Sequence, residues 1–182
     1  MQIRQLVAVL ALLSASGGGA LAGNRHHVII DGGMVHLRGA LTEAACSVST
    51  ESAHQVIDMG QFRSNQFGEL GSFASPVEFN IRLTECSTAV SNTVGVAFYG
   101  VTDGKDPQVL KAGEGENAAT GVGLALFDRN GVIIPPNTPP HTGMALHEGE
   151  NILRFMARYR ATSRQVVAGN ADASTWFALT YQ

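Results

Sequence analysis

Long apolar runs are what this 182-residue chain most clearly lacks. The N-terminal run from Leu6 to Leu13 falls well short of the roughly 20 residues a spanning helix needs, and no later stretch is longer and apolar. That argues against a membrane span. A charge of one sign is also missing. The formal net charge is −3, too mild to argue for nucleic acid. A loose group of arginines (Arg154, Arg158, Arg160, Arg164) reads as a solvated strand face rather than a phosphate-binding patch. Catalytic motifs are absent. Six histidines (His26, His27, His36, His54, His141, His147) do not recur at metal-ligand spacing, and "HEGEN" lacks the second histidine of a zinc-binding helix. "GEGEN" and "GVGLAL" carry glycines but no Walker lysine, and no serine sits in a nucleophile elbow. Asp103, Asp106, Glu114 and Glu116 lie in loops and read as solvated acids. These absences speak against an enzyme and against any metal or cofactor.

Cysteine is scarce: Cys46 and Cys86 are the only two. What precedes them sets their compartment. "MQIRQLVAVLALLSASGGGALA" has Arg4 near its start, then the apolar run, then small residues ending in Ala20-Leu21-Ala22. This is the layout of a secretory signal peptide over residues 1–22. Two cysteines in an exported chain predict one disulfide. It would close a loop of about 40 residues, worth on the order of 4 kcal/mol by loop entropy. About 160 residues remain after cleavage, enough for one domain with a real core.

Their period is two nearly everywhere. "VEFNIRLTEC" puts Val77, Phe79, Ile81 and Leu83 on one face. "VGVAFYG", "VGLALF", "NILRFMARYRA" and "STWFALTYQ" alternate likewise, and turn signals such as "TDGKDP", "DRNG" and "IPPNTPPHTG" separate them. No helix longer than about two turns is predicted. The pattern predicts an all-β sandwich.

Both ends of the sandwich are odd. "TWFALTYQ" runs as a strand to the last residue, and an open apolar edge recruits other chains. At the other end, residues 27–37 also alternate, with Ile29, Asp31, Gly33, Val35 and Leu37 on one side. Glycine gives a strand's own sheet little. A groove plus a spare strand is the arrangement for strand addition between subunits, and head-to-tail contacts that do not close make filaments.

The residues that carry a resemblance are "GALTEAACSVS", "VIDMGQF", "VEFNIRLTECS", "GVAFYGVTDGKDP" and "TWFALTYQ", with Tyr181 penultimate and Gly169 fourteenth from the end. Over its mature length the chain resembles the chaperone–usher pilins, and "ECSTAVSNTVGVAFYGV" and "RYRATSRQV" look like the fimbrin-like accessory pilins of type 1 fimbriae. The resemblance implies an incomplete immunoglobulin-like β-sandwich lacking its last strand, over residues 39–182, with a donor-strand extension over 23–38. It implies a structural subunit of a fimbrium on the bacterial cell surface, exported through the periplasm. Partners would be a periplasmic chaperone, an outer-membrane usher and other pilins, with host contact through the assembled fimbria. Gly33 would be the small residue of the donor strand, between Asp31 and Val35. Asp31 is either solvated at the groove edge or makes this strand a poor donor, since burying an unpaired carboxylate is costly. A poor donor would suit a minor or rod-terminating subunit. The groove would be lined by the first strand after Cys46 and by one face of the last strand: Phe177, Leu179 and Tyr181, or the opposite Trp176 and Ala178 face. Gly169 and the Gln182 carboxylate complete the expected recognition set. Two other readings stay open. One is a single-domain sugar-binding adhesin, which would need an exposed aromatic cluster, whereas the one tryptophan lies in a predicted core strand. The other is a self-contained secreted sandwich.

Overall fold

The computed structural model describes residues 34–38, 44–140 and 143–182. Residues 34–38 have no regular secondary structure and are exposed. From Ala45 onward the chain builds two antiparallel sheets. The larger runs in the order β1 (Ser47–Val48), β2 (Val77–Cys86), β7 (Gly149–Ala161), β5 (Val122–Asp128), β4 (Leu110–Lys111). The smaller is β6 (Met144–Ala145), β3 (Thr93–Tyr99), β8 (Trp176–Tyr181). One helical turn, α1 (Thr50–Ala53), follows β1.

Alternation decides what each strand buries. β2 turns Phe79, Ile81 and Leu83 inward and Glu78, Asn80 and Arg82 outward. Its register against β7 pairs Phe79 with Phe155 and Ile81 with Leu153. Phe98 of β3 meets Phe155 edge-on at 5.3 Å, while Phe155 stacks on Phe79 at 5.5 Å. These three rings join the sheets at the centre of the core.

Strict alternation would turn Cys86 outward. A register shift between Leu83 and Cys86, with Glu85 at φ 54, inserts one residue and brings Cys86 inside. Cys86 is there bonded to Cys46, which precedes β1. β1 itself stops after two residues. Ser52 of α1, capped by the Ser49 hydroxyl, takes over its edge by accepting the Arg82 N–H at 2.9 Å.

The arginines differ from the sequence expectation. Arg154 and Arg164 are exposed, but Arg158 and Arg160 are half-buried on the outer face of the larger sheet. Arg158 lies 4.9 Å over the Phe73 ring and donates to the Ala74 carbonyl at 2.8 Å. Arg160 also covers Phe73 and pairs with Asp106 at 3.2 Å, so Asp106 is not a solvated acid. Beneath them Val109, Ala125 and Phe127 form a second small core. This is why β5 is buried on both faces although its sequence predicts a half-exposed strand.

Candidate functional site: the open edge of β8

Each sheet ends in two edge strands, and three of the four are only two residues long: β1, β4 and β6. Short edges are one device against unwanted pairing. β8 is six residues, "WFALTY", with no charge and no proline. Among the described residues it has none of the usual edge protections.

β8 pairs with β3 alone among the described residues, with Phe98 opposite Phe177, Val96 opposite Leu179 and Val94 opposite Tyr181. In an antiparallel pair, alternate residues aim their N–H and C=O at the partner strand. The Gln182 N–H donates to the Thr93 carbonyl at 3.3 Å, which sets the phase. Ala178 and Thr180 therefore bond to β3, and Phe177, Leu179 and Tyr181 turn their peptide groups to the open side. No described residue pairs with those groups. β3 is treated differently on its far edge. β6 covers Val94, and the Asn137 N–H donates to the Phe98 carbonyl at 2.8 Å.

The side chains repeat the contrast. Val94, Val96 and Phe98 are 0%, 4% and 2% exposed. Their partners Tyr181, Leu179 and Phe177 face the same core but are only half-buried. Of the two faces left open by the sequence, this is the one turned toward the core. Trp176 on the opposite face is 63% exposed, which corrects the expectation that it lies in the core. Ile57, Met59 and Phe62, from the segment after α1, are likewise half-buried against that core.

Two tyrosines tie this region together. The Tyr181 hydroxyl donates to the Cys46 carbonyl at 3.3 Å, linking the end of β8 to the disulfide segment. Burial pushes its phenol above the ordinary value. Tyr159 of β7 meets Phe62 edge-on at 5.4 Å and donates to the Ala171 carbonyl at 2.8 Å. Its phenol is also raised, by burial and then by the charge of Asp172. Alternation in "NILRFMARYRA" puts Tyr159 on the face of Leu153, Phe155 and Ala157 and gives no sign of its partners.

The remaining expected residues are spread out. A Cβ on Gly169 would lie 2.5 Å from the backbone of Ala118 and Ala119, so glycine is required there by a close chain crossing. The Gln182 main-chain oxygen accepts from Ser91 Oγ at 2.5 Å and Thr93 Oγ1 at 2.9 Å. Val35 and Leu37 are 81% and 91% exposed. Ile29, Asp31 and Gly33 lie outside the described residues, as does the expected signal peptide.

The family model described as fimbrial protein matches residues 35–182. This chain belongs to the fimbrial protein family. A fimbrin-like protein, FimI, of Salmonella typhi is 46% identical over 85% of this chain and 88% of its own length. A type 1 fimbrial subunit of Salmonella typhimurium is 35% identical over the full length of both. Among solved structures, the P pilus rod subunit PapA covers 76% of this chain and all of its own, at TM-score 0.65 and 28% identity. A chaperone–usher pilus structure covers 85% of this chain and 98% of its own, at TM-score 0.64 and 28% identity. The fold is the incomplete immunoglobulin-like sandwich of the pilins, and the chain is a structural subunit of a fimbria. Among the described residues no helix is long and apolar enough to cross a membrane.

Proposed function

We propose that β8 accepts an extended strand from another protein, and that this acceptance drives both export and polymerisation. A periplasmic chaperone lends the strand first. At the outer-membrane usher, the N-terminal strand of a neighbouring subunit replaces it. Phe177, Leu179 and Tyr181 form one wall of the groove, with Ile57, Met59 and Phe62 as the other. Gln182 closes the recognition strand at the disulfide end of the domain, beside Thr93, and Gly169 serves recognition at the opposite end, where it crosses Ala118 and Ala119.

Residues 23–38 are this chain's own donor strand, freed by removal of 1–22. Ile29, Asp31, Gly33, Val35 and Leu37 form its inserted face, and residues 39–182 form the acceptor domain. Asp31 weakens donation, which suits a minor or rod-terminating subunit. The likeness to a fimbrin-like protein supports that role. The assembled fimbria stands on the bacterial surface and supports adhesion to host cells.

The observation that carries the acceptor reading is the row of peptide groups that Phe177, Leu179 and Tyr181 turn to the open side, their side chains half-buried beside fully buried β3 partners. The test is periplasmic expression with and without the cognate chaperone, followed by sizing chromatography. A one-to-one complex that is lost without the chaperone is expected. A stable monomer made without any chaperone would sink the reading.

A further inference from the structure

Trp176 opens β8 on the outer face of the smaller sheet, directly opposite Tyr99 in the register. The two rings stack, with centroids 4.3 Å apart and planes 17° from parallel. Since the partners sit on adjacent strands, the stacking direction runs along the sheet from β3 toward β8. Tyr99 covers one indole face. The other looks away from β3, over the edge where no described strand lies, and this is why Trp176 stays 63% exposed. The Thr175 hydroxyl, donating to the Tyr99 carbonyl at 2.9 Å, ties the start of β8 to β3 just beside the pair. The indole is therefore held, not loose.

We infer that the free face of Trp176 is a contact for the strand that docks beside β8, stacking on that strand's outward-facing side chain at the same level. The inference rests on the acceptor reading and carries it from the groove to the outer surface of the sheet. A groove reads only the side chains that point inward. The alternate side chains of the same strand point outward, and neighbouring strands pair such residues across the ladder. A third member of the Tyr99–Trp176 row needs flat apolar area or a planar cation: an aromatic, long aliphatic or arginine side chain. A carboxylate there would face the negative side of the ring. The occupant is thus an extended strand of a second fimbrial subunit carrying such a residue, and Trp176 selects among donor strands that fill the groove equally well.

Trp176 is the sole tryptophan of the chain, so its emission reports the contact. The mature chain, released from its chaperone, is mixed with the N-terminal peptide of a mature type 1 rod subunit. A blue shift on insertion is expected. Trp176→Ala should release the peptide about two- to tenfold faster, the size of an aromatic cross-strand contact, and Trp176→Phe should restore most of the hold. A peptide whose outward residue at this level is changed to aspartate should lose the same factor on the unmodified chain and nothing on Trp176→Ala. Insertion with no emission shift and unchanged release from Trp176→Ala would overturn the inference and leave the acceptor reading standing. Failure of the peptide to insert into the unmodified chain would overturn both. Trp176-dependent binding on a glycan array, with peptide release indifferent to Trp176, would overturn it in favour of a sugar platform.

Discussion

Leu179→Ala should cost more when the groove is filled than when it is empty. Leu179 lies mid-strand opposite Val96, faces the core and is half-buried, whereas Val96 is enclosed. Complete burial of a leucine stabilises by about 1.5–3 kcal/mol, so truncating a half-covered one removes roughly 1 kcal/mol from the empty protein. With a strand alongside, Leu179 becomes as enclosed as Val96. Truncation then leaves a cavity costing about 2–5 kcal/mol. The difference, about 2 kcal/mol, appears as roughly thirtyfold weaker retention of the strand. The assay is the release rate of a donor peptide from the filled chain, beside the urea midpoint of that filled form. Ile81→Val is the control. Ile81 is fully buried whatever happens at β8, so it should lose about 1 kcal/mol in both forms and leave release unchanged. Equal release from Leu179→Ala and the unmodified chain would refute the reasoning, because Leu179 would then be ordinary core.

Cys46→Ser should lower stability by about 4 kcal/mol, the loop-entropy value for a separation of 40 residues; an unshifted urea midpoint would show the bridge to be dispensable. Gly169→Ala should destabilise by about 1–3 kcal/mol through overpacking against Ala118 and Ala119, read by the same midpoint; a neutral result would return Gly169 to a purely surface role. Stability should also fall above about pH 10. The Tyr159 and Tyr181 phenols are both raised by burial in the fold, so they favour the folded state while protonated. That contribution is complete below the unfolded value and is lost as pH rises through the folded ones. Tyr181→Phe should flatten part of this fall above about pH 10, and an identical alkaline profile would count against the burial of the Tyr181 phenol.

The strands were legible because each half-buried face follows a period of two. The face of Phe79, Ile81 and Leu83 could be read directly, whereas for the last strand the sequence leaves two faces open and the pairing with β3 decides for Phe177, Leu179 and Tyr181. The exceptions have physical reasons. Cys86 breaks parity because of a bulge at Glu85, and a bulge leaves no simple mark on hydrophobic spacing. Phe127 and Ala125 are buried on the outer face because Arg158 and Arg160 lie over Phe73 beside them, and alternation cannot distinguish a covering arginine from a solvated one. Trp176 lies in a predicted core strand with its face left open. Its position, one residue out of phase with Phe177, is what places it outside. The two hydroxyls that tie the groove region, on Tyr159 and Tyr181, accept no signal from sequence because their partners are main-chain carbonyls of Ala171 and Cys46.

Those two hydroxyls bear on how the proposed groove keeps its shape for an incoming strand. A sandwich with half-covered walls should tend to collapse, since Phe177 and Leu179 gain by any closure over them. Here the walls are fixed from behind. The disulfide secures the start of β1 to the end of β2, and Tyr181 hangs the end of β8 from the same Cys46 carbonyl. Tyr159 packs Phe62 from one side and anchors Ala171, ahead of β8, on the other. A site held open in this way leaves mainly the incoming strand to be ordered, and preorganisation of one partner reduces the cost of association. On the acceptor reading we propose, the tyrosines and the disulfide thus serve assembly as well as the fold: they hold in place an edge that most proteins would shorten, charge or cover.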